Sequence, residues 1–303
     1  MHINSISVVP QDVGCNAKCK YCIAAMTSDI RTDMKKPGIN LPKLEKCLKY
    51  AKDGGASTAI ITSSGETLLG SWTNIENILW LCKQHFGQID LHTNASEILK
   101  PPTFGRDFSE MLAPYLTNIT ITVPHYIPEK CKELYGLELD YKTLFKRLTD
   151  LGLVIRLSCV VCKEGIGELW QDYGRLSMAY VSYSSDMSHY IQYYKDLGVS
   201  SIVFRELWIP EEKGSDSEWA IINRIPQKTI IEALDSIAHV KIVGHKRSKK
   251  LNWYGNGQPY DIDGVTVSTS TCTQNNTAST IKSLVYRPDN FLYTDWDSTA
   301  KIM

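Results

Sequence analysis

The sequence predicts an α/β protein: six consecutive β/α units curling into an open, partial barrel, followed by a small α+β capping domain. Three observations predict it. Short β-branched runs alternate with helix-period segments six times between Ile3 and Trp208, the signature of parallel β/α units. In the later strands apolar and polar residues alternate with period two, so each strand has an apolar and a polar face. The pattern then stops at the polar linker Pro210-Glu211-Glu212-Lys213-Gly214-Ser215-Asp216, which divides the 303 residues into 1–210 and 211–303.

Ile3 to Val9 is β-branched, ends at Pro10 and reads as the first strand. Residues 23–40 form a polar connection carrying Arg31, Lys35 and Lys36. Leu41 to Asp53 is a helix with Leu44, Cys47, Leu48 and Ala51 on one face, stopped by Gly54-Gly55. Ser57 to Thr62 is the second strand and runs straight into Ser63-Ser64-Gly65-Glu66-Thr67. Trp72 to Phe86 is a helix with the stripe Ile75, Ile78, Leu79, Cys82 and Phe86, and Gln88 to Asn94 is the third strand. Asn118 to Val123 is the fourth strand, Pro128 to Leu151 is mostly helical, and Leu153 to Val161 is the fifth. Asp186 to Leu197 is a helix capped by Asp186 and closed by Gly198, and Ser201 to Trp208 is the sixth strand.

Strand four sets Ile119, Ile121 and Val123 against Thr120 and Thr122. Strand five sets Ile155, Leu157 and Cys159 against Arg156 and Ser158, and strand six sets Ile202 and Phe204 against Arg205. The apolar faces pack on outer helices and the polar faces line a lumen. A polar lumen is costly unless ligand or water satisfies it, so it points to a binding cavity. One wetted face of an antiparallel sheet would show the same alternation, but the intervening helices argue against that. In the C-terminal part, Pro226 to Ala238 reads as a helix. Val240 to Val243, Val265 to Ser270 and Leu284 to Tyr286 read as strands, the last turning at Pro288-Asp289-Asn290 into Phe291-Leu292-Tyr293.

Composition excludes several classes. A formal net charge of zero gives no reason to expect nucleic acid or a membrane surface as main partner. Nine cysteines in a chain this long do not make a disulfide framework. The start lacks a signal-peptide pattern, and no apolar run reaches the ~18 residues of a membrane span. A soluble protein of a reducing cytoplasm is expected.

The chemistry centres on Cys15-Asn16-Ala17-Lys18-Cys19-Lys20-Tyr21-Cys22, a C-x3-C-x2-C loop directly after the first strand. Three thiolates fall short of the four ligands of a closed zinc site. They suit a 4Fe–4S cluster with one iron left open to a second molecule. A zinc-stabilised binding module with a fourth ligand from elsewhere is the alternative.

This loop resembles the cysteine motif of the radical S-adenosylmethionine (radical SAM) family. The likeness extends in pattern from residue 3 to about 210, over a partial (β/α)6 TIM-like barrel. It implies one 4Fe–4S cluster on Cys15, Cys19 and Cys22, with S-adenosylmethionine bound at the open iron. The family's Gly-Gly-Glu-Pro-like turn after strand two is matched by Ser64, Gly65, Glu66 and Thr67. Ser64 and Thr67 depart from the pattern and Glu66 is kept. Thr93 and Asn94 end strand three as in relatives. Thr122 matches a hydroxyl-bearing position of strand four, Arg156 and Ser158 are the candidates for the polar groups that strand five supplies, and Tyr21 matches an aromatic placed near adenine. The resemblance further implies an electron donor such as a flavodoxin or ferredoxin.

Arg156 and Arg205, expected in the lumen, are candidates for holding an anionic substrate, and His125 is either a proton donor or a surface histidine at a strand end. Lys246, Arg247, Lys249 and Lys250 form a basic run that is more simply a solvated loop. Cys47 and Cys82 read as core. Cys159 and Cys162, three apart on a strand, point to opposite faces. The segment Val285 to Tyr293 resembles the hairpin of the SPASM or twitch domains, which carry auxiliary clusters. With Cys272 the one cysteine after residue 210, a degenerate, cluster-free version is expected. Fourteen residues precede Cys15, which leaves no room for the N-terminal recognition domain of many peptide-modifying relatives. A small polar substrate (nucleotide, nucleoside, sugar or amino acid derivative) is therefore expected ahead of a ribosomally made peptide presented by a separate protein.

Overall fold

The structure is a computed structural model that describes residues 2–10, 14–26, 38–101, 107–166, 176–209, 215–239, 248–250, 259–271, 276–277, 279–296 and 298–303. For residues 176–185, 215, 216, 239 and 248–250 it describes the backbone alone. Arg31, Lys35, Lys36, Val240 to Val243, Lys246, Arg247, Cys272 and most of the 210–216 linker lie outside the described residues.

The strands are β1 (His2–Ile3), β2 (Ser5–Val8), β3 (Thr58–Ile61), β4 (Gln88–Thr93), β5 (Asn118–Thr122), β6 (Val154–Val161) and β7 (Ser201–Glu206), then β8 (Ser248–Lys250), β9 (Pro259–Ile262), β10 (Val265–Ser270), β11 (Thr280–Ile281), β12 (Leu284–Tyr286) and β13 (Leu292–Tyr293). The helices are α1 (Ile23–Met26), α2 (Leu41–Asp53), α3 (Trp72–His85), α4 (Phe108–Leu112), α5 (Pro128–Tyr135), α6 (Tyr141–Asp150), α7 (Leu176–Asp196), α8 (Ser215–Asn223) and α9 (Gln227–His239).

Local rules explain most boundaries. In α2 the Asn40 side chain accepts the Lys43 N–H at 3.0 Å and Pro42 sits in the first turn. Its buried residues are the predicted Leu44, Cys47, Leu48 and Ala51. The segment Pro128 to Leu151 divides into α5 and α6 because Gly136 takes φ +72 as a left-handed cap and Asp140 starts a new helix by accepting the Thr143 N–H. One boundary differs from expectation. The helix before β7 begins at Leu176, and Asp186 lies inside it rather than at its cap. No Gly or Pro interrupts residues 176–185, and the buried Asp186 side chain takes the Tyr126 hydroxyl at 3.4 Å instead of a helix-end N–H.

Strands β2 to β7 pair in chain order, all parallel, as the six β/α units require. Their alternation falls as predicted. Ile61, Leu91, Ile121, Leu157 and Phe204 join the helices in the main apolar core, and Asp90, Thr120, Arg156 and Ser158 belong to the opposite face. The sheet is open, and its ends stay unpaired with each other among the described residues.

The C-terminal strands do not form a sheet of their own. β10 pairs parallel with β7 and carries β9 and β8, while β12 pairs parallel with β2 and carries β13. Both edges of the six-stranded core are thereby extended, in a single sheet of eleven described strands. An exposed sheet edge leaves backbone groups unpaired, and these additions satisfy them. Residues 285–293 form the predicted hairpin, with Asn290 left-handed at φ +64.

Candidate functional site

The cysteine loop is held from two sides by backbone. On one side Gly14 (φ +67) meets the turn after β3, where the Glu66 N–H donates to the Gly14 carbonyl at 2.8 Å. A Cβ on Gly65 would lie 1.8 Å from that oxygen, so glycine is the residue that permits this approach. On the other side the end of α5 receives the loop: Lys18 N–H donates to Tyr135 O at 2.9 Å and Lys20 N–H to Leu134 O at 3.0 Å. Cys22 N–H donates to Cys19 O, and Cys22 O then accepts from Ala25 and Met26, which starts α1.

Glu66 is buried and fully engaged. Its carboxylate accepts the Thr93 hydroxyl and the Asn94 N–H, each at 2.5 Å, and the Leu68 N–H at 3.0 Å. Burial raises its pKa, while the Thr93 and Asn94 donors oppose the rise. Asn94 passes the connection on, its amide donating to Asn16 Oδ1 at 2.7 Å and reaching Cys15 Sγ at 4.0 Å. Asn16 also donates to Ser96 at 2.7 Å, across a loop in which buried Ala95 holds φ +63. Such backbone costs energy and persists where surroundings dictate it, as at binding sites. Thr67, also buried, donates to His92 O at 3.0 Å.

The three thiols lie on one short loop, and their charges act on one another. Burial pushes Cys19 up, and the Cys22 and Cys15 charges add to the rise. Burial also raises Cys15, with Glu66 and Cys22 contributing. Among the described residues no three Cys, His, Asp or Glu side chains are already drawn together as a metal site. The donor set still fits an iron–sulfur cluster. It offers three soft thiol ligands on one short loop, with Cys15 reaching solvent. The other described cysteines do not join it: Cys47, Cys82, Cys131, Cys159 and Cys162 are buried, with Cys159 and Cys162 in different apolar clusters.

The remaining candidates fall into separate places. Tyr21 is buried in a small cluster with Leu134, Tyr135 and Leu207, against which Cys19 packs. Ser64 is half-buried in the Gly65 turn. Thr122 and Ser158 are cross-strand partners on the polar face of the sheet. Arg156 and Arg205 are not together. Arg156 pairs in register with Ser201 and Arg205 with Val160, so they stand four residues apart along the strands, about 13 Å. Arg156 is exposed and its guanidinium lies 3.5 Å from the buried Asp90 carboxylate, to which Thr120 also donates at 2.9 and 3.0 Å. Arg205 is half-buried, with its Nε enclosed and lacking a hydrogen-bond partner among the described residues. His125 is buried, stacks on Tyr126 at 4.6 Å and accepts the Ile127 N–H on Nδ1 at 2.9 Å. That nitrogen serves the start of α5.

Sequence reasoning missed Asn16, Asp90 and Lys20. Asp90 and His92 alternate on the polar side of β4, and the period-two test used on β5 to β7 would have found them. Lys20 bonds Glu164 at 2.9 Å, and Glu164 also accepts Trp219 Nε1 at 3.0 Å, which ties the cysteine loop to α8. No local sequence signal joins residues so far apart.

No protein-family model and no curated protein matches the chain. Solved structures do. Streptococcus suis SuiB bound to precursor peptide SuiA matches with a TM-score of 0.60 at 12% identity, over 98% of this chain and 60% of that one. SuiB bound to S-adenosylmethionine matches equally, with a TM-score of 0.60 at 12% identity over 97% and 60%. Histidine-tagged anSMEcpe with bound AdoMet matches with a TM-score of 0.57 at 15% identity, over 99% of this chain and 73% of that one. These are radical SAM enzymes.

This chain has the radical SAM fold. It spans 60% of the length of the SuiB chains it matches. No helix among the described residues is long and apolar enough to cross a membrane.

Proposed function

We propose that this chain is a radical SAM enzyme with one 4Fe–4S cluster on Cys15, Cys19 and Cys22. The observation that carries the reading is the backbone lock between Gly14 and Gly65, which sets the cysteine loop directly against the Glu66 turn and, through Asn16, against Asn94. When bound, the cluster and S-adenosylmethionine supply a 5′-deoxyadenosyl radical that takes a hydrogen atom from substrate. The chain's own residues bind and orient. The Ser64–Thr67 turn offers backbone groups for the methionine amino group. Thr122 and Ser158 offer hydroxyls from across the lumen, and buried Tyr21 packs beside Cys19. Such positioning is the main contribution a protein makes to radical chemistry, together with exclusion of water.

The polar row Asp90, Thr120 and Arg156 supports a substrate with a polar portion entering the lumen. A small polar molecule is the first reading. A ribosomal peptide is the second, favoured by the likeness to SuiB with its precursor peptide. The C-terminal segment is read as a SPASM/twitch-like extension without its own cluster. Anaerobically purified protein incubated with dithionite and S-adenosylmethionine is expected to release 5′-deoxyadenosine, and a precursor peptide that accelerates the release decides for the second reading. A fully loaded protein that binds S-adenosylmethionine and never cleaves it overturns the proposal.

A further inference from the structure

One cation on the polar face of the sheet has no counter-charge. Arg205 is half-buried near the end of β7, its Nε is enclosed, and its guanidinium meets no carboxylate and no hydrogen-bond acceptor among the described residues. Arg156, on the same face, differs: it lies 3.5 Å from the Asp90 carboxylate. Glu206, next to Arg205 in sequence, points to the opposite face by the period of the strand, and its carboxylate is taken by Arg224 at 2.6 Å. A partly buried guanidinium with an enclosed N–H left unmade is costly. It calls for an anion that the polypeptide does not supply.

Strand register gives its surroundings. Arg205 pairs with Val160 of β6 on one side and with Ser270 of β10 on the other. Val160 and Leu207, two residues beyond Arg205, belong to the apolar cluster of Tyr21, against which Cys19 packs. Arg205 therefore stands beside the residues that back the cysteine loop. Two residues earlier along the strands, Thr122, Ser158, Val203 and Ser268 form one row across β5, β6, β7 and β10. Ser158 is 8% exposed, and neither its hydroxyl nor that of half-buried Ser268 makes a hydrogen bond among the described residues. Ser270 is engaged, its hydroxyl donating to Thr271 O at 2.9 Å. Thr122 and Ser158 are the hydroxyls assigned above to S-adenosylmethionine. Ser268 stands two strands from Ser158, about 10 Å, and diagonal to Arg205.

We propose that Arg205 and Ser268 bind an oxyanion of the substrate, a carboxylate or a phosphate, and that strand β10 of the C-terminal segment thereby supplies one wall of the substrate site. The inference rests on the enzymatic reading above in naming the occupant as substrate. A guanidinium presents its N–H groups as a planar fork that matches two oxygens of a carboxylate or phosphate. The Ser268 hydroxyl adds a donor from the neighbouring strand. The anion gives the enclosed Nε side of Arg205 the acceptor it lacks, and it lies on strands other than those assigned to S-adenosylmethionine.

The test uses the full chain without metal, so its first readout does not depend on the cluster. Sodium phosphate and sodium succinate are each compared with sodium chloride at equal ionic strength. At least one of the two is expected to raise the melting temperature of the wild type, and which one does so tells phosphate from carboxylate. Arg205→Met keeps the apolar stem without the charge. It is expected to melt no lower than the wild type in chloride and to lose the anion response. Ser268→Ala should need about tenfold more anion for the same rise. A wild type that responds to neither anion overturns the inference, and so does an Arg205→Met variant that responds in full. A variant that melts far below the wild type in chloride, or does not fold, also overturns it, because the guanidinium then has a structural partner. An undiminished response in Ser268→Ala overturns the part given to β10. In the loaded protein Arg205→Met should bind S-adenosylmethionine as the wild type does. A tenfold loss there overturns the substrate assignment, because Arg205 then holds the carboxylate of that ligand. Protein that keeps the anion response but takes up no iron counts against the cluster reading alone.

Discussion

Gly65 and Gly14 meet backbone to backbone: the Gly14 carbonyl accepts the N–H beside Gly65, and a Cβ on Gly65 would stand 1.8 Å from that oxygen. This contact joins the end of the first β/α strand to the turn after the next one, and it fixes where the cysteine loop begins.

Gly65→Ala is therefore expected to displace the loop without unfolding the sheet. Nothing flexible can yield, since the obstructing atoms are Gly14 main chain. Overpacking of this kind costs about 1–3 kcal/mol. Iron per chain after reconstitution should fall sharply while the circular dichroism spectrum is kept. Full iron content in the variant would show that the contact is dispensable.

Changing Cys15, Cys19 and Cys22 together to Ala should abolish brown colour and bound iron. The wild type should hold about 4 iron per chain, as one cubane cluster requires. Colourless wild-type protein with one zinc per chain would establish the binding-module alternative instead. About twice the iron would show a second cluster and remove the degenerate reading of the C-terminal segment.

Glu66→Ala and Glu66→Gln should differ. Alanine leaves the Thr93 hydroxyl and the Asn94 and Leu68 N–H groups unsatisfied inside the protein, a loss on the order of 3 kcal/mol or more. Glutamine keeps the shape and part of the acceptor capacity, so its loss should be smaller. Both should weaken S-adenosylmethionine binding in calorimetric titration, because the turn they hold is the proposed seat of its amino group. Unchanged melting in Glu66→Ala would contradict the geometry.

Arg156→Ala and Asp90→Ala test the polar row of Asp90, Thr120 and Arg156. Arg156 is 46% exposed in its side chain and 3.5 Å from Asp90, so its removal should change stability by within about 1 kcal/mol. Removing buried Asp90 strands the Thr120 hydroxyl and the guanidinium, and should cost about 1–3 kcal/mol. Denaturant midpoints measure both. Equal costs would mean that Arg156 is a structural cation, not one available to a substrate.

Much was legible in the chain because it depends on near neighbours. The 3.6-residue stripe of α2 named its four buried residues, and the period-two pattern of β5 to β7 separated core face from polar face. The Cys15–Cys22 spacing is enough to propose a chemistry without the fold, because ligand type and spacing are local properties. Helix starts were less legible where capping residues were ambiguous: Asp186 resembles an N-cap, yet it lies within α7.

What the tertiary structure alone decided concerns distance between residues remote in sequence. Only the fold shows that residues 259–270 and 284–293 extend opposite edges of one sheet, since edge pairing depends on which backbone groups remain unsatisfied. Only strand register separates Arg156 from Arg205, which alternation had put on the same face. The Glu66 carboxylate finds its donors in β4 and the loop after it, and the cysteine loop finds its second support at the end of α5. Periodicity fixes which way a side chain points. How far along a strand it stands, and what meets it there, follows from packing of the whole chain.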